Sequence, residues 1–229
     1  MPAKSKTATK KPTKSAPKKT GIMVPAYTKS GEQKGDFSLP ESLFGQKSNT
    51  RLVAQAIRVY LGRQRQNSAH TKTRAQVNRT TKKVYKQKGT GGARHGARSA
   101  PIYVGGGRAH GPKNFENYKL ELPKKMARLA FISSLSDKVT NKKLSVALDL
   151  EGIEPKTKNL NTFLKKAGFK KLTLVHSGKE NIFRAGRNIE NLSLVRAQEL
   201  STYDVIKASN LVLTQEAVEV LTKRGVKNA

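Results

Sequence analysis

The residues best suited to chemistry run from Lys82 to Arg98: Lys82-Lys83-Val84-Tyr85-Lys86-Gln87-Lys88-Gly89-Thr90-Gly91-Gly92-Ala93-Arg94-His95-Gly96-Ala97-Arg98. Cations alternate with glycines, one aromatic ring and one imidazole are present, and there is no acid. Lysine offers a point charge to anionic oxygens, and arginine offers a flat fork of donors that also stacks. Glycine lets the main chain lie directly against another backbone. From Ser42 to Phe115 neither Asp nor Glu occurs, although an even spread of the chain's 15 acids would put about five there. Cations in that span are close to their even share, so the signal is missing negative charge. A surface that must sit against a polyanion has this bias, because each carboxylate would repel phosphate at short range.

Other chemistries fit less well. Gly89, Gly91 and Arg94 break the dinucleotide fingerprint at its third glycine, and Pro112 stands where the P-loop spacing of Gly106 and Gly111 requires Lys. His70, His95, His110 and His176 lack metal-ligand spacing, and there is no cysteine. Asp149 and Glu151 follow the first strand of the expected sheet, where α/β enzymes often place catalytic groups, but no second acid, base or nucleophile accompanies them. His176-Ser177-Gly178 lacks the elbow that would expose a nucleophilic serine. No catalytic residue, metal site or cofactor is therefore expected; magnesium bridging RNA phosphates remains compatible. Tyr85 and Tyr103 have two readings, stacking on unpaired bases or packing on their own loop.

The whole chain has 229 residues, a formal net charge of +31 and a sequence pI near 10.5. Such a chain repels itself and calls for an acidic partner, most commonly nucleic acid. No run of 18 apolar residues occurs, so no spanning helix and no membrane partner are expected. Residues 1–20, rich in Lys, Pro, Ser and Thr, read as a disordered basic tail without the apolar core of a secretory signal.

The elements that must position the cationic stretch come next. Residues 22–39 read as two short strands around Ser30-Gly31, with Pro25 arguing for an edge position. Pro40 to Gly45 reads as one helical turn. Asn49 or Thr50 caps a helix to about Leu61 that Gly62 closes, with Leu52, Val53, Ala56, Ile57, Tyr60 and Leu61 apolar. Residues 63–113 lose periodicity for about fifty positions, which in a compact domain signals function or disorder. A helix then starts near Pro123, with Met126, Leu129, Ala130, Phe131 and Leu135 on a broad apolar face. Four apolar runs follow, Leu144–Leu148, Lys171–Val175, Leu192–Val195 and Asn210–Leu213, separated by helical segments. Ser201 and Asp204 have capping-box spacing. The alternation predicts an α/β, three-layer domain with a mostly parallel, about four-stranded sheet covered by helices. The expected organisation is a tail (1–20), a globular α/β domain (21–62 and 114–229) and an extended loop inserted in it (63–113).

Lys86-Gln87-Lys88-Gly89-Thr90-Gly91-Gly92-Ala93-Arg94, preceded by Thr71-Lys72-Thr73-Arg74 and followed by Pro101 and Gly105-Gly106-Gly107, resembles the extended loop of the bacterial-type L-four protein family of the large ribosomal subunit. Leu122-Pro123-Lys124-Lys125-Met126, Pro155-Lys156-Thr157-Lys158 and Ala185-Gly186-Arg187-Asn188 extend the resemblance, which runs from about Ile22 to the C-terminus. The chain departs from it at Tyr85, where Trp is usual, and at Gly92, where Arg is usual. The resemblance implies a structural, non-catalytic, cytoplasmic protein of the large subunit that organises its rRNA during assembly. It implies a loop threaded through RNA, with a tip at Gln87, Lys88, Gly89, Thr90 and Gly91 lining the tunnel of the nascent chain.

On the acid-free span and the resemblance together, the candidate rRNA contacts are Arg63, Arg65, Lys72, Arg74, Arg79, Lys82, Lys83, Tyr85, Lys86, Gln87, Lys88, Gly89, Thr90, Gly91, Arg94, His95, Arg98, Tyr103, Arg108 and Lys113. Expected partners are large-subunit rRNA, neighbouring ribosomal proteins and the nascent polypeptide, with no small-molecule substrate. The alternative is an RNA-modifying enzyme with a basic clamping loop, which would need a cofactor site after a strand. A third reading, a nucleoid or membrane-surface binder driven by charge alone, predicts no preference among polyanions.

Overall fold

The computed structural model describes residues 21–226; the expected disordered tail lies outside them. The strands are β1 (Gly21–Tyr27), β2 (Gln33–Pro40), β3 (Leu144–Ala147), β4 (Leu172–His176), β5 (Leu192–Arg196) and β6 (Asn210–Thr214). The helices are α1 (Glu41–Phe44), α2 (Thr50–Gln64), α3 (Lys124–Thr140), α4 (Thr157–Lys166), α5 (Glu180–Gly186), α6 (Thr202–Lys207) and α7 (Gln215–Val226), with a short 3-10 turn at Leu150–Gly152. The chain divides into two compact units, one built from residues through Val53 and from Arg128 onward, the other Ala54–Ala127.

The first unit is a single sheet in the order β2-β1-β3-β6-β4-β5. It has six strands, not about four, and it is mixed: β1 pairs antiparallel with β2, and all other neighbours are parallel. The four apolar runs read from the sequence are β3 to β6. What the sequence did not reveal is that the β1–β2 hairpin joins them, because that pairing links Tyr27 to Ala147 across more than a hundred residues. Pro25 is also not at an edge. β1 lies between β2 and β3, but its ladder to β3 begins at Ala26, and a register shift falls between Pro25 and Tyr27. The missing N–H of Pro25 therefore interrupts no parallel pair.

Period-two alternation puts side chains of each central strand on both faces, and β3, β4 and β6 are buried throughout or nearly so. One apolar cluster takes Leu144, Val146, Val175, Leu211 and Leu213 from the sheet and covers them with α1, α3, α6 and α7 through Phe44, Leu135, Val205 and Leu221. The other takes Leu172, Leu174 and Val212 and covers them with α4 and α5 through Leu160, Phe163 and Ile182. These two clusters make the three layers.

Local signals act largely as read. Asn49 caps α2, its Oδ1 accepting from the Leu52 N–H at 3.2 Å. Ser201 accepts from the Asp204 N–H at 3.2 Å while the Asp204 carboxylate accepts from the Ser201 N–H, a complete capping box. Two expectations fail. Gly62 does not close α2, which runs on to Gln64. The apolar face of α3 is narrower than expected: Leu129 is 47% exposed, while Ser133, Ser134 and Ser136 are buried. Those serines do structural work, since Ser136 Oγ accepts from the Gln46 N–H (3.1 Å) and Ser133 Oγ from the Asn49 N–H (3.2 Å), holding the segment that leads into α2. Lys138, also buried, donates to the Ala208 carbonyl at 2.8 Å and the Ile206 carbonyl at 3.3 Å, satisfying the end of α6.

Candidate nucleic-acid interface

Beyond α2, residues 65–121 of the second unit form no helix or named strand, yet they are not structureless. They run out and back as an antiparallel ribbon whose two legs are tied rung by rung. Nearest α2, Arg63 Nε donates to the Leu120 carbonyl at 2.9 Å and the Arg65 guanidinium lies 4.2 Å from the Tyr118 ring centre. Further along, Asn67 Nδ2 donates to the Lys113 carbonyl (2.6 Å), the Thr71 N–H to the Pro112 carbonyl (3.0 Å) and the Arg108 N–H to the Lys72 carbonyl (2.9 Å). Near the tip, Lys83 bridges Ala97 and the Val84 N–H donates to the Gly96 carbonyl at 3.0 Å. Across the last rung the Tyr85 hydroxyl donates to the Ala93 carbonyl.

Besides Arg63 and Arg65, two further candidate cations belong to this internal framework. Arg79 Nη1 donates to the Val104 carbonyl (2.6 Å) and the Arg98 carbonyl (3.3 Å). Lys113 Nζ donates to the Thr71 carbonyl (2.7 Å) and Gln76 Oε1 (3.0 Å). Both are half-buried, and both staple one leg to the other. Nothing in the sequence distinguishes them from the remaining cations, because the carbonyls they meet are distant in the chain.

The candidate cations other than Arg79 and Lys113, namely Arg63, Arg65, Lys72, Arg74, Lys82, Lys83, Lys86, Lys88, Arg94, Arg98 and Arg108, are exposed. None pairs with a carboxylate among the described residues; the ion pairs found lie in the first unit. The acid-free span supplies no carboxylate, so their charge is left uncompensated within the ribbon.

The glycines divide by role. A Cβ on Gly107 would fall 2.3 Å from the Arg74 nitrogen, so this glycine lets the two legs touch. Gly89 (φ 85°) and Gly91 (φ 64°) have nothing near them and instead set the left-handed turn of the tip. Gln87, Lys88, Gly89, Thr90 and Gly91 are all exposed there, with Gln87 accepting from Lys83 Nζ. Tyr85 and Tyr103 flank His95, with ring centres 6.1 Å and 5.3 Å from it. Of the two readings for these tyrosines, packing on their own loop is present in the structure.

The acids noted after the first parallel strand have a different role. Glu151 is 4% exposed. Its Oε1 accepts from the Ser177 N–H at 2.8 Å and from the Thr214 hydroxyl, and its Oε2 accepts from the Ser177 hydroxyl. One carboxylate thus ties the loops at the ends of β3, β4 and β6, and its oxygens are occupied in doing so. Asp149 is exposed in a left-handed conformation (φ 52°). Among the described residues no group of three or more His, Cys, Asp or Glu side chains is placed to hold a metal.

His176 is buried at the end of β4, and its Nδ1 accepts from the Gly178 N–H at 3.2 Å, which requires a neutral ring. Burial pushes its pKa below the ordinary 6.5; Glu151 and Glu199 oppose this and Arg196 adds to it. The unfolded chain therefore takes up this proton first. Stability from this site is complete above pH 6.5 and declines as pH falls through 6.5 toward the lower folded value. In melts from pH 7.5 to 5.5 the wild type should lose stability that a His176→Asn variant does not lose. Parallel pH profiles of the two would contradict the assignment.

The model of the ribosomal protein L4/L1 family matches residues 37–224. The large ribosomal subunit protein uL4 of Hyphomonas neptunium is 38% identical over 200 residues, covering 86% of this chain and 93% of that protein. The uL4 of Clostridium botulinum is 35% identical over 196 residues, covering 85% and 95% respectively. That of a Thermoanaerobacter species is 37% identical over 199 residues, covering 86% and 96%. A family match across most of both units, with relatives aligned over nearly their whole length, places the chain plainly: it belongs to the ribosomal protein L4/L1 family, in its bacterial uL4 form.

Proposed function

We propose that this chain is a structural, non-enzymatic constituent of the large ribosomal subunit, acting in the cytoplasm with rRNA and other ribosomal proteins as partners. Its mode of action is to bind large-subunit rRNA through the Arg63–Lys113 ribbon during assembly, with the Gln87–Gly91 tip lining the path of the nascent chain. The observation that carries this reading is the ribbon itself. Eleven of its cations are exposed and unpaired by acid, while hydrogen bonds between the two legs hold the ribbon together. A ribbon whose legs are already tied to each other presents those cations to RNA as one preformed surface, at less ordering cost on binding. No cofactor of the chain's own enters the reading; magnesium would ride on RNA phosphates.

Lys88 and Arg94 flank the tip turn and touch no core residue. Replacing both by Glu should leave the melting temperature unchanged. It should reduce incorporation into large subunits at least several-fold, since two attractions to phosphate become repulsions. The measurement is co-sedimentation with the large subunit, together with crosslinking from residues 82–98. If the intact protein does not crosslink to rRNA from these positions in assembled particles, the reading is wrong. The RNA-modifying alternative finds little in the geometry, because Glu151, its best candidate acid, is fully bonded within the fold.

A further inference from the structure

The ribbon carries one surface that its charge does not explain. Between Ser99 and Gly107 the chain folds into three successive turns, closed by the N–H groups of Ala100, Tyr103, Gly106 and Gly107 donating to the carbonyls of Ala97, Ala100, Tyr103 and Ser99 at 2.9–3.2 Å. Arg79 braces this knuckle by donating to the Val104 carbonyl at 2.6 Å. A Cβ on Gly106 would fall 2.0 Å from the Ala100 carbonyl oxygen, so the turns are closely stacked. Ala97 and Ser99 are buried at its base. On the outside, Val104 is 96% exposed and Ile102 70% exposed. Two β-branched aliphatic side chains are thus held out to solvent by a braced backbone, and burying them elsewhere would be favourable.

Charge complementarity identifies the occupant. Arg98 precedes the knuckle, Arg108 follows it, and the Arg74 backbone lies against Gly107; all three side chains are exposed. No acid occurs from Ser42 to Phe115. An apolar knob in a cationic collar fits a partner that presents apolar faces inside an anionic frame, and unpaired bases and riboses between phosphates have that character. We propose that Ile102 and Val104 form an apolar wedge that seats against unstacked nucleobases of large-subunit rRNA, with Arg74, Arg98 and Arg108 on the adjoining phosphates. The wedge rests on the functional reading above and adds to it a contact that discriminates folded RNA from a uniform polyanion.

Full-length Ile102→Ser/Val104→Ser protein should bind large-subunit rRNA about tenfold or more weakly than the wild type, the size expected from uncovering two aliphatic side chains. Its log affinity should fall with log salt at the wild-type slope, because no phosphate contact is lost. Full-length Arg74→Gln/Arg98→Gln protein should instead flatten that slope by about 1–2. An Ile102→Leu/Val104→Ile protein, still apolar, should retain wild-type affinity, and its doing so excludes simple sensitivity of the turn to substitution. In assembled large subunits a photo-crosslinker at position 104 should capture RNA. Unchanged affinity of the serine double variant overturns the wedge, as does a crosslink to a protein neighbour. Failure of the intact chain to bind large-subunit rRNA would instead sink the functional reading on which the wedge stands.

Discussion

Protein lacking residues 66–108 should lose most of its affinity for large-subunit rRNA while its α/β unit stays folded. The deletion removes ten cations and no acid. If roughly six to ten phosphates are neutralised by the intact ribbon, affinity should fall by about 10³ to 10⁵ between 50 and 200 mM salt, as each contact releases counterions. Without the ribbon both the affinity at low salt and the steepness of its decline should drop. The segment lies within Ala54–Ala127 and contributes no member to either apolar cluster of the first unit, so the sheet and its helices lose no packing. Filter binding over a salt series reads the first effect, and circular dichroism with a thermal melt reads the second. Equal affinity and equal slope for the shortened and intact chains would remove the ribbon from RNA binding.

The largest effect expected on stability comes from one carboxylate. Glu151→Ala leaves the Ser177 N–H and the Thr214 hydroxyl without their acceptor and opens a space among the ends of three strands. Stranding buried donors in this way, with loss of a carboxylate that also faces Lys179 Nζ at 3.8 Å, should cost about 3 kcal/mol. Burial pushes the Glu151 pKa up, but hydrogen bonds, among them those it accepts from Ser177 and Thr214, bring it below the ordinary 4.5. The folded protein thus favours the ionised form. Its contribution is fully present above about pH 4.5 and is lost as pH falls through the lower folded value. Urea unfolding of the wild type should show this loss on acidification, whereas Glu151→Gln should be weaker at neutral pH and flatter below pH 4.5. A Glu151→Ala protein as stable as the wild type would show that the knot holds nothing.

Much of the fold is written locally. The runs that became β3 to β6 are short, apolar and bounded by turns, and β3, β4 and β6, buried on both faces, need no more than that. The Asn49 cap and the Ser201/Asp204 box act on atoms three residues away, so spacing alone specifies them. α3 is where local reading fails. Its serines look like solvent residues, and their burial follows from backbone N–H groups more than eighty residues earlier in the chain. Pro25 misleads in a similar way, because whether a missing N–H costs a bond depends on where the neighbouring ladder begins.

The cationic ribbon shows the same division. Its composition and its lack of acid were legible, since exclusion of a residue type needs no three-dimensional knowledge. That Gly89 and Gly91 sit at a tip came from the family resemblance. That Arg79 and Lys113 are staples, and that Gly106 and Gly107 serve contact within the protein, was not legible. In each case the partner atom belongs to the opposite leg or to the next turn of a stack.

By itself, the sequence determined that this chain is strongly cationic and which span is free of acid, because charge and its absence are properties of residues wherever they are placed. It also determined the α/β alternation, because apolar period and caps act within a few residues. Tertiary structure alone decided that the N-terminal hairpin completes a six-stranded sheet, that Glu151 is a strut instead of an acid catalyst, and which cations face outward. Those outcomes depend on which distant backbone groups come within hydrogen-bonding distance, and only folding sets that distance.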